Sequence, residues 1–266
     1  MTDTRPIGMF DSGVGGLTVL KEIIKENPNE NIVYLGDTKR FPYGSKSKES
    51  IIELTRKGIE FLISKNVKAI VIACGTATSQ ALEELKKYYN IPIIGIINST
   101  VQYIKDNENL RKIGIIATNG TIRSKGWENK IYKEIEDVLV YNKACPLLAP
   151  MAEEGWTDNE IAKLTIREYI KDFEDIDCLI LGCTHYPLFE KVIKEELENK
   201  VEIINTGEKL SKDLKEILLK DKIQNFEKEK GNYQIYLTDI ETNFVNVAKN
   251  LLKDDSISTK IKKADI

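Results

Sequence analysis

Ala69-Ile70-Val71-Ile72-Ala73-Cys74-Gly75-Thr76 and Cys178-Leu179-Ile180-Leu181-Gly182-Cys183-Thr184-His185 are the stretches that decide the fold. Each is a short apolar run that ends in a cysteine, followed by small or hydroxyl-bearing residues and then a helical pattern. Apolar runs of this length without polar alternation read as strands covered on both faces, the habit of parallel sheets. Both thiols then fall at strand C-termini, the edge where open α/β sheets bind ligands. A helix N-terminus at that edge can favour a thiolate. Two such thiols facing one ligand would make a pair of proton-transfer groups.

A second pair of landmarks has the same relation. Pro6-Ile7-Gly8-Met9-Phe10 leads into Asp11-Ser12-Gly13-Val14-Gly15-Gly16, and Ile113-Gly114-Ile115-Ile116-Ala117 leads into Thr118-Asn119-Gly120-Thr121. Asp11 precedes Cys74 by 63 positions and Thr118 precedes Cys183 by 65. The spacing reads as a divergent duplication. The expected fold is α/β: two similar domains with largely parallel sheets, related by a pseudo-twofold axis, with the active site in the cleft between them.

Strands are predicted at 7–10, 32–35, 69–73, 93–97, 113–117, 138–141, 178–182, 201–204 and 233–237, with helical periodicity between them, as at Leu17, Leu20, Ile23 and Ile24. Asn98-Ser99-Thr100 reads as a helix start that opens the second repeat, and Asn205-Thr206-Gly207 closes it. The expected division is a discontinuous first domain, 1–97 plus 208–266, and a second domain, 98–207.

Composition narrows the function classes. The 266 residues carry 39 Lys plus Arg against 42 Asp plus Glu, a net charge of −3, and the lysines between Lys209 and Lys230 are interspersed with acids. That is a solvated surface, and no nucleic-acid partner is expected. No apolar run approaches the roughly 18 residues of a membrane span, so no membrane partner is expected either. No signal-peptide pattern precedes Arg5-Pro6, and the four cysteines are expected to be free thiols in a reducing cytoplasm. No metal site is expected, because no Cys/His set has ligand spacing. Symmetric dimerisation is the expectation from the prevalence of twofold oligomers.

Set in order, Phe10-Asp11-Ser12-Gly13-Val14-Gly15-Gly16, Gly36-Asp37-Thr38 with Pro42-Tyr43-Gly44, Ala73-Cys74-Gly75-Thr76, Ala117-Thr118-Asn119-Gly120-Thr121, Glu153-Glu154-Gly155 and Gly182-Cys183-Thr184-His185-Tyr186-Pro187 resemble the cofactor-independent aspartate/glutamate racemases, on their glutamate branch. The resemblance implies that Cys74 handles the α-proton on the D-face and Cys183 that on the L-face, with no cofactor. It makes Asp11 and His185 assisting residues, with Glu153 a further match, and implies glutamate as substrate, feeding peptidoglycan precursor synthesis. The chemistry fits: inversion needs a base on one face and an acid on the other, and a thiolate can serve as base when its pKa is lowered from about 8.5.

Asp11, Ser12, Tyr43, Gly44, Gly75, Thr76, Thr118, Thr121, Thr184 and His185 are the expected substrate-binding set, with hydroxyls and backbone N–H groups suited to carboxylates. Helix N-capping is an equal reading of Ser12, Thr76 and Thr184. The glycines at 13, 15 and 16 lack dinucleotide-loop spacing and fit close approach to a small ligand. Cys145 and Cys178 read as core or wall. At Gly75 the family usually has asparagine, so the resemblance implies a lost polar anchor and a looser Cys74 loop, partly restored by Gly75→Asn. The competing readings are a racemase for another amino acid such as aspartate, a non-catalytic amino-acid-binding protein and a thiol-redox protein.

Overall fold

The computed structural model describes residues 2–173, 175–240 and 242–266. Its strands are β1 (Ile7–Asp11), β2 (Ile32–Gly36), β3 (Ala69–Ile72), β4 (Ile93–Gly95), β5 (Lys112–Ala117), β6 (Leu139–Ala144), β7 (Cys178–Leu181), β8 (Glu202–Ile204), β9 (Tyr233–Leu237) and β10 (Ile261–Lys263). Its helices are α1 (Gly16–Glu26), α2 (Lys48–Ser64), α3 (Gly75–Leu85), α4 (Ile96–Lys105), α5 (Asn119–Ser124), α6 (Gly126–Glu134), α7 (Leu148–Glu153), α8 (Glu160–Ile170), α9 (Glu190–Glu196), α10 (Thr206–Lys220) and α11 (Thr242–Leu252). All nine apolar runs read as strands are strands. No helix among the described residues is long and apolar enough to cross a membrane.

Two parallel sheets result, ordered β10-β9-β2-β1-β3-β4 and β6-β5-β7-β8. The run β2-β1-β3-β4 repeats as β6-β5-β7-β8, so the duplication read from spacing is a duplication of topology. In each repeat the first strand lies between the second and third. Strand order therefore reverses between β1 and β3 and again between β5 and β7, the switch points where open sheets leave a crevice beyond their C-terminal ends. Asp11 and Cys74 end one such pair of strands, Thr118 and Cys183 the other.

Side chains alternate along the strands between two faces. Ala69, Val71 and Ala73 join one core, while Ile70, Ile72 and Cys74 join a second, against Ile59 and Leu62 of α2 and Ala77 and Ala81 of α3. In the other domain Cys178 and Ile180 join the first core, while Leu179, Leu181 and Cys183 join a third, with Ile166 of α8 and Val192 of α9. The first core is thus common to both sheets, and α10 is wedged there against α1 and α4. Burial on both sides binds the two domains into one body.

Two readings change. β4 ends at Gly95, which is the N-cap of α4, so Ile96 and Ile97 are helical and Asn98-Ser99-Thr100 lies inside the helix. The amphipathic face Ile96, Ile97, Val101 and Ile104 explains this: four buried apolar residues at helical spacing outweigh a local start signal. The second is β10, which adds beside β9 at the sheet edge and which no apolar run announces.

Candidate active site

Both catalytic candidates sit where sequence spacing puts them, and they share one cavity. Cys74 is the N-cap of α3, immediately after β3, and Cys183 follows β7 ahead of a 3-10 turn at Tyr186–Phe189. A cavity of about 110 Å³ between the two domains is lined by both cysteines, by Ser12, Tyr43, Gly44, Gly75 and Thr76 from one domain, and by Thr118, Thr184 and His185 from the other. All four cysteines are free.

On the Cys183 side, His185 bridges the thiol to a carboxylate. Its Nδ1 lies 3.8 Å from Cys183 Sγ and its Nε2 lies 2.6 Å from Glu153 Oε1. Burial disfavours the imidazolium, but the bonds to Cys183 and Glu153 outweigh burial and push its pKa up to about 10. The Phe41 ring packs against the imidazole, centroids 5.4 Å apart. The chain is thus a thiol, an imidazole and a carboxylate in series, the arrangement that orients a base and relays its proton.

The Cys74 side is built differently. The thiol donates to Ser12 Oγ at 3.6 Å. Asp11 has no hydrogen bond to it; the fully buried Asp11 carboxylate accepts from Gly13 N, Gly16 N and the Thr184 hydroxyl of the other domain. Burial pushes the Asp11 pKa up to about 6, against the pull of His185 and of those donors. Burial and the Asp11 charge push Cys74 up to about 12, although the Ala77 N–H at the start of α3 pulls the other way. The pKa at this helix N-terminus is therefore raised and not lowered, and Cys74 stands as a protonated donor.

The hydroxyl set divides into residues that face the cavity and residues that hold them. Thr76, Thr118 and Thr121 meet hydroxyl to hydroxyl at 2.9, 3.3 and 3.0 Å, joining α3 to the start of α5, with Thr121 behind the lining. Asp11 and Glu153 also stand behind it. Tyr43 lines the cavity, while its hydroxyl is engaged in donating to Asp37 Oδ2 at 2.6 Å. Asp37, fully buried, also accepts from Arg40 and Thr238. None of Ser12, Thr76 or Thr184 caps a helix; α1, α3 and the turn at Tyr186 lack side-chain caps, whereas Thr118 caps α5 by accepting from Thr121 N. Cys145 is buried in the third core and Cys178 in β7, and neither lines the cavity.

Phe41, Ser45, Pro146, Ala149 and Pro150, which sequence reading missed, complete the lining with Pro42 and Asn119, which stand in the quoted motifs but were given no role there. The apolar members come from both domains, and apolar residues carry no chemical signal in a sequence. Gly75 is not on a loosened loop. It is buried in the first turn of α3, against Gly182.

Comparison with known proteins agrees with this fold. Residues 17–210 match the family model for Asp/Glu/Hydantoin racemase. The glutamate racemase of a Sulfurihydrogenibium species is 43% identical over 264 residues, 98% of each chain. The Francisella tularensis glutamate racemase, solved in complex with D-glutamate, superposes with a TM-score of 0.91 at 37% identity, covering 99% of this chain and 98% of that one. A Bacillus anthracis glutamate racemase superposes at 0.92 with 35% identity over the same shares. With its duplicated parallel sheets and a cysteine from each at one cavity, the chain belongs to the Asp/Glu/Hydantoin racemase family, among the glutamate racemases.

Proposed function

We propose that this chain interconverts L- and D-glutamate with its own two thiols and no added cofactor. The observation that carries the proposal is that Cys74 and Cys183, from corresponding positions of two repeats, line one small cavity. Starting from L-glutamate, the Cys183 thiolate takes the α-proton, the electron pair stays on the α-carbon, and Cys74 delivers its S–H proton to the opposite face. Cys74 is left as the thiolate and Cys183 as the thiol, ready for the reverse reaction. The raised pKa of Cys74 suits the acid role in this direction. The His185 imidazolium, held by Glu153, donates to the Cys183 thiolate while that thiolate acts as the base. The N–H groups at the start of α3, with Ser12, Thr76, Thr118 and Thr184, suit the substrate carboxylates.

The substrate assignment draws support from relatives near 40% identity that carry the name glutamate racemase and from a neighbour that holds D-glutamate. D-glutamate made this way would serve peptidoglycan precursor synthesis in the cytoplasm. Chiral detection of D-glutamate from L-glutamate by purified protein without cofactor tests the reading. The expected result is conversion to near-equal amounts of both isomers, with aspartate turned over far more slowly. Conversion confined to aspartate would move the substrate, and none at all would refute racemisation.

A further inference from the structure

Several glycines face the opposite domain across the cleft. A Cβ at Gly15 would lie 2.3 Å from His185 Nδ1, one at Gly44 2.6 Å from Thr118 Cβ, and one at Gly126 3.0 Å from Ser79 Cβ. Gly75 is the tightest of them, and its obstacle is main chain: a Cβ there would lie 2.2 Å from the Gly182 carbonyl oxygen and 3.2 Å from its carbon. No rotamer relieves such an overlap. The backbone at Gly75 is helical, so conformational freedom does not explain the glycine. What the position requires is the absence of a side chain.

The contact has a particular address. Gly75 directly follows Cys74 and Gly182 directly precedes Cys183, so the two domains touch main chain to main chain one residue from each thiol. We propose that Gly75 is a positioning residue that sets the width of the cleft between Cys74 and Cys183. The proposal rests on the two-thiol reading of the site. A methyl group at position 75 would need its neighbour to retreat by about 1 Å to reach ordinary contact, and that retreat separates the thiols from a carbon held between them. Misplacement on that scale costs about 100-fold in rate. The obstacle belongs to the other domain, so the strain falls on the core shared between the domains, while the core private to each sheet keeps its packing and the variant folds.

Gly75→Ala is the direct test, read in three ways. The kcat for glutamate is expected to fall about 100-fold with a much smaller change in KM, because the carboxylate-binding hydroxyls are untouched. Alkylation of Cys74 and Cys183 by iodoacetamide, followed by peptide mass spectrometry in the absence of substrate, is expected to speed up at both thiols, which are now 5% and 6% exposed. The melting temperature is expected to stay close to that of the parent. The alkylation and melting measurements need no turnover, so they judge the cleft even if the parent proves not to racemise glutamate. Parental kcat with parental alkylation rates would overturn the proposal. A collapse of the melting temperature would overturn it as well, by making Gly75 a packing residue. Gly75→Asn is expected to behave like Gly75→Ala, the opposite of the gain that a restored polar anchor would give.

Discussion

His185 is the residue on which the chemistry of the Cys183 side turns, because its two nitrogens tie the thiol to Glu153. With its pKa raised to about 10 and that of Asp11 raised to about 6, both carry charge between those values. The account predicts that kcat/KM rises as pH passes about 6, holds, and falls as pH passes about 10. Glu153→Gln removes a bond that raises His185, so its alkaline limb should move to lower pH. The sign for stability follows from the same shift: a histidine raised above its ordinary 6.5 stabilises the fold fully below that value and ceases to do so as pH rises through about 10. Melting temperatures at the two ends of that window should converge in Glu153→Gln relative to the parent; an unmoved alkaline limb would remove Glu153 from the relay.

The cysteines give the sharper residue-scale prediction. Cys74→Ser and Cys183→Ser should each lower kcat by about 10²–10⁴-fold, the contribution of acid-base catalysis, since a hydroxyl is a far weaker base than a thiolate. Melting temperatures should change little. Either variant racemising at the parental rate in steady-state assay would contradict the assignment. These residues were legible because strand, thiol and hydroxyl follow one another in the chain. The roles of Tyr43 and Asp11 were less so, because partners outside their own motifs decide what their polar atoms bond: Asp37 engages the Tyr43 hydroxyl, and Thr184 crosses the cleft to Asp11.

At the scale of elements, the segment after β2 closes the cavity with Phe41, Pro42, Tyr43, Gly44 and Ser45, and Asp37 holds it in place. Removing one partner of a buried, charge-bearing network costs about 3–5 kcal/mol. Asp37→Ala is therefore expected to destabilise by that order in urea titration and to raise KM for glutamate more than it lowers kcat. An unchanged KM would mean that the segment does not shape the binding site. Strands β3 and β7 were easy to read because every residue in them is apolar. β10, Ile261-Lys262-Lys263, was not, since an edge strand with two exposed lysines has no apolar pattern. The start of α4 was misplaced for the opposite reason: Ile96 and Ile97 extend an apolar run although their backbone has already turned helical.

Over the whole molecule, duplication explains both the fold and the site. One strand order used twice supplies two switch points, a shared core holds their C-terminal edges together, and each edge contributes one thiol. The near-equal spacings of Asp11 to Cys74 and Thr118 to Cys183 made this legible. The asymmetry was not: one thiol beside a serine and a buried carboxylate, the other beside an imidazole and glutamate, arises from contacts between the halves. The central claim is that two groups on opposite faces exchange one proton each, and isotope uptake during a single inversion tests it directly. Starting from L-glutamate in deuterated water, the D-glutamate formed at low conversion should carry deuterium at the α-carbon while the remaining L-glutamate is still unlabelled. Label entering recovered L-glutamate as fast as the product would show one group working on both faces, and would contradict the account.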